Sequence, residues 1–314
     1  MFLFVFLSSE MRADNSQSYD VSDTEVFTYE RPKGLPFITN FFKDFGLFYS
    51  NYMDREHVPY MLGIAASTAI TIYYDEDLLI GAQDWGKKWG IDSKDRTKSF
   101  FSVFGFNVRG PSDISSGMYF IGDGWTHTSF GLGFFLYGYF AEDYRAWSTG
   151  YAIFEGMLTT GVTTQFLKHI TGRESPSVRT EDRGRWRFFP NQKAYHKDVP
   201  AYDAYPSGHL ATGTMTLTVI AANYPEYWII KPLGITLLTM LSFQMMNNGV
   251  HWASDYPLAI GIGYGFGKIA VNNYRKIEQA TLQRKKASRR VEPVYLFNPM
   301  FAGNAVGAGV TVLF

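Results

Sequence analysis

The chain of 314 residues has no cysteine. That absence excludes disulfides, cysteine-ligated metals and thiol nucleophiles together. It also has no charge of either sign to spare: 29 Lys and Arg stand against 29 Asp and Glu. A chain without net charge offers no general attraction for nucleic acid, so any basic patch is local. Long apolar runs are lacking as well. A membrane-spanning helix needs about 20 apolar residues. The best window, residues 228–246 ("WIIKPLGITLLTMLSFQMM"), is interrupted by Lys231 and Pro232. With a mean hydropathy of -0.13, the apolar segments are expected as buried helices of a soluble or membrane-associated domain.

What the chain has is aromatic bulk, 27 Phe and 21 Tyr, suited to filling helix–helix contacts. Residues 1–13 open with an apolar run, Phe2 to Leu7, and read as a signal-like segment ending near Ala13. Residues 14–48 are rich in Ser, Asp and Pro and read as irregular. Residues 49–275 carry helical patterning, broken near Gly110 and Pro111 and again by a polar, aromatic loop over residues 171–205. The last helix is expected to begin near His251 and to run on into the basic segment 275–290. Residues 276–314 thus comprise a basic helix end and a tail. In the tail Val306, Ala308, Val310, Val312 and Phe314 alternate, with Gly303 and Asn304 at a turn, which predicts a β-hairpin. The fold class expected is all-α, a helical bundle with a short C-terminal hairpin.

Three short stretches carry chemistry. In "PSGH" (Pro206 to His209) Ser207 suits a helix N-cap, and the first helical N–H groups have no internal partners. Those donors and the positive end of the helix dipole form an anion cradle, which Gly208 lets an anion approach closely. In "HWASD" His251 and Asp255 are four apart, the spacing of one helix face. A carboxylate on one ring nitrogen leaves the other free as base or nucleophile. In "LKHITGRESP" Lys168 and Arg173 end a helical stretch, where cations complement the dipole or hold a phosphate.

Their order and content resemble the type 2 phosphatidic acid phosphatase and vanadium haloperoxidase superfamily. That family's signatures are Lys-x6-Arg-Pro, Pro-Ser-Gly-His and Ser-Arg-x5-His-x3-Asp. The resemblance covers roughly residues 50–275 and is strongest from Lys168 to Asp255. It implies that Lys168, Ser207 and Gly208 bind phosphate, that His209 protonates the leaving oxygen, that His251 takes the phosphoryl group, and that Asp255 orients His251. It also implies chemistry without metal or cofactor. The substrate would be a phosphorylated lipid or small phosphate ester, and the setting a bacterial envelope, periplasmic or at a membrane surface.

Two positions depart from the pattern. Ser175 stands where the first signature has arginine, and Gln244 and Met245 stand where the third has Ser-Arg. Each missing charged donor costs about 3 kcal/mol in a water-poor site. Arg173 is the expected substitute as a phosphate ligand, with Arg179, Arg183, Arg185, Arg187 and Lys193 in the following loop as further candidates and Asn247 and Asn248 as neutral donors. The alternatives to a phosphohydrolase are a catalytically weak or inactive anion- or lipid-binding protein and a vanadium haloperoxidase-like enzyme.

Overall fold

Several helix starts in this chain are written by short polar residues. Asp113, Asp123 and Asp143 each place a carboxylate on a free first-turn N–H, at Ser116, Trp125 and Ala146. In the computed structural model, which describes residues 15–103, 106–279, 294–302 and 305–313, the elements run as follows. Strands β1 (Ser16–Asp20) and β2 (Glu25–Glu30) precede helices α1 (Pro36–Thr39), α2 (Phe41–Tyr52) and α3 (Val58–Lys88). Strands β3 (Thr97–Val103) and β4 (Phe106–Pro111) lead to α4 (Ile114–Phe120), α5 (Gly124–Phe140) and α6 (Tyr144–Thr171). After the long loop come α7 (Gln192–Lys197), α8 (Gly208–Asn223), α9 (Ile230–Asn247) and α10 (Tyr256–Tyr274). Strands β5 (Arg275–Gln279), β6 (Val294–Ala302) and β7 (Ala305–Leu313) close the chain.

The chain divides into two compact units. The larger, residues 1–17 and 29–275, holds the helices and is the all-α bundle the periodicity predicts. Its centre is α6, α8 and α10. Ala152 and Ile153 meet Met215, Val219, Ala270 and Val271 in one fully buried cluster. A second cluster joins Leu210 and Ala211 of α8 to Leu241 and Met245 of α9 and Tyr256 and Ala259 of α10. The smaller unit, residues 18–28 and 276–314, holds most of the sheet ordered β1-β2-β5 and the antiparallel hairpin β6–β7, paired from Val294↔Leu313 to Ala302↔Ala305.

Three expectations need correction. Residues 14–48 are not irregular: β1, β2, α1 and the start of α2 occupy them, the strands being too short and too polar to stand out by alternation. The break near Gly110 is a β-hairpin, β3–β4, with register Thr97↔Pro111 to Val103↔Phe106. The last helix does not run into the basic segment. It stops at Tyr274, and Arg275–Gln279 is a strand beside β2, so the sheet ladder takes over the backbone hydrogen bonds there. The signal-like segment 1–13, the rest of the basic segment from residue 280, and the expected turn at Gly303 and Asn304 lie outside the described residues.

Among the described residues no helix is long and apolar enough to cross a membrane. Yet residues 58–74 of α3 and 124–140 of α5 contain no Asp, Glu, Lys or Arg. Both present large apolar side chains to the outside, among them Leu62, Ile70, Tyr73, Trp125, Tyr137 and Phe140.

Candidate active site

Helix α6 delivers the first signature residue. Lys168 lies in its last turn and is 4% exposed. Gly172 ends the helix in the left-handed region, φ 54°, its N–H on the Lys168 carbonyl. A Cβ there would stand 2.2 Å from the Arg187 carbonyl oxygen, so the position takes only glycine. The turn sends Arg173 inward while Lys168 Nζ bonds Asp203 Oδ2 at 2.7 Å. Asp203 also accepts the Tyr195 hydroxyl.

Helix α8 begins as the sequence predicts. Ser207 is its N-cap, with Oγ accepting from Leu210 N at 3.3 Å, and is fully buried. Its own N–H donates to the Asp255 carbonyl at 3.1 Å, which ties the second signature to the third. A Cβ on Gly208 would lie 3.9 Å from both Lys168 Nζ and Thr164 Oγ1, in the space between the lysine and the helix N-terminus. That space combines a cation, free first-turn N–H groups and the dipole. The Ser207 hydroxyl faces Met245 Sδ at 3.6 Å, at the position where an arginine is missing.

His251 and Asp255 meet, but not on one helix face. His251 precedes a 3-10 turn over Ala253–Asp255, and α10 begins only at Tyr256. The turn folds Asp255 back, so that Oδ2 accepts Trp252 N at 2.8 Å and His251 Nδ1 at 3.2 Å. Both residues are buried, His251 at 2% and Asp255 at 0% exposure. The bond fixes Nδ1 as donor and leaves Nε2 with its lone pair. The His209 ring stands edge-on to the His251 ring, centroids 6.3 Å apart, and packs on Tyr119 at 4.9 Å. Burial first, then His251, Lys168 and His127, push the His209 pKa down to about 3. His127, buried on α5 with neither ring nitrogen hydrogen-bonded, is likewise pushed down by burial, to about 4.

Arg173, the expected phosphate ligand, is drawn into bonds within the protein. It is fully buried, and its guanidinium is taken up by Asp75 Oδ2 (2.7 Å), Asp255 Oδ1 (2.6 Å), Ser254 Oγ (2.6 Å) and the Arg183 carbonyl (2.9 Å). The rings of Trp186 and Trp252 lie beside it at 4.7 and 5.3 Å. A buried guanidinium held between two carboxylates through Nη1 and Nη2 is a structural tie. The other arginines are also committed. Arg179 reaches Glu76 and the Pro176 carbonyl, Arg183 lies over Tyr73, Arg185 pairs with Glu181, and Arg187 pairs with Glu174. Lys193 sits exposed on α7. Asn247 donates to the Asp92 carbonyl and Asn248 contacts Gln244.

Two residues that sequence reasoning missed organise this surround. Glu174 holds the loop by its carboxylate. Burial raises its pKa, but the N–H groups of Thr180 and Arg185, Arg187 and the Thr180 hydroxyl outweigh that and bring it down to about 2. Asp75 comes from α3, where "YYDED" reads as an ordinary charged cluster. His169, next to Lys168 on α6, stacks on Tyr195 at 4.0 Å. Among the described residues no group of three His, Cys, Asp or Glu side chains could hold a metal ion.

The geometry thus gathers Lys168, Ser207, Gly208, His209, His251 and Asp255 at the ends of three helices. A comparison with family models matches residues 149–278 to the PAP2 superfamily. Over that stretch the chain is similar to the PAP2 superfamily. The matched stretch runs from within α6 into β5 and contains all six residues, but not Asp75. The match suggests phosphatase-type chemistry at the level of that superfamily. No curated protein and no solved structure matches the chain.

Proposed function

We propose that the protein is a metal-independent phosphohydrolase acting on a phosphorylated lipid through a phosphohistidine intermediate. The carrying observation is His251, held by Asp255 through Nδ1, facing His209 beside the N-terminus of α8. In the first step His251 Nε2 attacks phosphorus and the bond to the leaving oxygen breaks. His209, itself neutral, relays to that oxygen the proton that the phosphate monoester brings. Water then attacks the phosphohistidine with His209 as base, releasing phosphate. Lys168 and the N–H groups of Gly208 and His209 meet the equatorial oxygens.

An apolar cavity in the same unit supports the lipid class. It measures about 1260 Å³ between α2, α3, α6 and α10, lined by Phe48, Tyr52, Ile64, Phe166, Leu167 and Leu258. Leu167 precedes Lys168, and Leu258 lies three residues after Asp255, so a hydrocarbon chain seated there belongs to the same helix ends that hold the phosphate. The charge-free outer faces of residues 58–74 in α3 and of α5 fit contact with a bilayer surface, and with it a place in the bacterial envelope.

The second reading, an anion-binding protein of weak or no activity, is favoured by one observation. Arg173 is spent on Asp75 and Asp255, and Met245 fills an arginine position. The haloperoxidase-like reading suffers from the same shortage of cations around an oxyanion. Turnover of an aryl phosphate in the presence of a chelator, inhibited by vanadate, supports the phosphohydrolase. Vanadate binding with no turnover supports the second reading.

A further inference from the structure

We infer that Asp75 of α3 is a positioning residue for His251, acting through Arg173 and Asp255. The inference rests on the reading of His251 as the nucleophile.

The connection is unbroken. Asp75 Oδ1 accepts Ser254 N at 3.0 Å, and Oδ2 accepts Ser254 Oγ at 2.6 Å and Arg173 Nη2 at 2.7 Å. Arg173 Nη1 donates to Ser254 Oγ and to Asp255 Oδ1, both at 2.6 Å. The other Asp255 oxygen receives His251 Nδ1. Asp75, Arg173 and Asp255 are all fully buried, so water does not screen them.

One guanidinium therefore serves two carboxylates. Were Arg173 bonded to Asp255 alone, its full charge would draw electron density from that carboxylate and weaken the bond to His251. Asp75 takes half of the fork and offsets the charge. Asp255 stays a strong acceptor, and the His251 ring keeps both its orientation and its electron density at Nε2. Asp75 also fixes the 3-10 turn that brings Asp255 back to His251, through the Ser254 backbone N–H. A carboxylate tie of this kind costs desolvation, which a purely structural contact could avoid with apolar residues.

The test is the downfield proton NMR resonance of the His251 Nδ1–H, assigned by its loss in His251→Ala. Asp75→Asn keeps the shape and removes the charge. The resonance is expected to move upfield while remaining visible, and kcat for an aryl phosphate to fall about tenfold at unchanged KM. Asp75→Glu, which keeps the charge, is expected to recover part of both. An unmoved resonance overturns the inference. So does a resonance lost in Asp75→Asn, which would make Asp75 a fold contact only, or a Glu variant as impaired as the Asn. If the wild-type protein fails to turn over, the proposed function fails, while the resonance still decides the role of Asp75.

Discussion

At pH 7 the His209 imidazole is neutral, since burial and its cationic and imidazole neighbours hold it down to about 3. The proton for the leaving oxygen must then enter with the substrate. A phosphate monoester carries one below its second pKa, about 6. The expected kcat/KM is level just below pH 6 and falls about tenfold per unit above it. Initial rates on an aryl phosphate from pH 5 to 9 check this; a rate that rises through that range contradicts it. The charge balance points the same way. Lys168 and Arg173 stand against Asp203, Asp75 and Asp255, so the site favours an ester of lower charge. The acid side has its own limit. The folded state keeps His209 and His127 neutral, whereas unfolded histidine takes a proton near pH 6.5. The unfolded chain binds more protons below that point, so stability is lost as pH falls from 6.5 toward 4.

Helix α2 is tied to the bundle by a buried acid pair. Asp44 of α2 and Glu155 of α6 both accept from Asn273 Nδ2, at 2.8 and 2.6 Å. Asn40 and Tyr274 complete the bonds to Glu155. Burial raises the Glu155 pKa to about 7, with Asp44 adding to the rise against the lowering by Tyr274, Asn273 and Asn40. The folded state therefore holds this proton more tightly than the unfolded chain, whose value is near 4.5. The stabilisation is full below pH 4.5 and is lost as pH rises through 7, a cost of about 3 kcal/mol by pH 8. Glu155→Gln, which mimics the protonated acid, is expected to raise Tm by several degrees at pH 8 and to change it little at pH 5. Equal melting of both proteins at pH 8 contradicts the assignment. What was legible in the sequence follows the same local logic. The caps and the short-range pairs, Ser207 to Leu210 and His251 to Asp255, lie within four residues and could be read directly. Asp75 to Arg173 spans 98 residues and Glu155 to Asn273 spans 118. No periodicity carries such pairs, which is why Arg173 reads as a phosphate ligand until α3 is packed beside it.

Across the whole molecule, the bundle leaves large apolar side chains outside on helices that no single hydropathy window marks as spanning. Ser, Thr and Gly dilute the average over α3 and α5, while the charges of α3 begin only at Asp75 and α5 has no Asp, Glu, Lys or Arg. A bilayer surface would cover these faces, and the purified protein is expected to float with phospholipid vesicles in a density gradient. Recovery at the bottom of the gradient contradicts that placement. The proposed lipid substrate and the surface go together, since the apolar cavity is lined by α2, α3, α6 and α10. The central claim remains the nucleophile. The most direct measurement is an alkaline quench of the protein during turnover of an aryl phosphate, followed by peptide mass spectrometry. The account predicts a phosphoryl group on His251, absent from His251→Ala, which does not turn over. Turnover retained in His251→Ala, or a phosphoryl group on another residue, would contradict it.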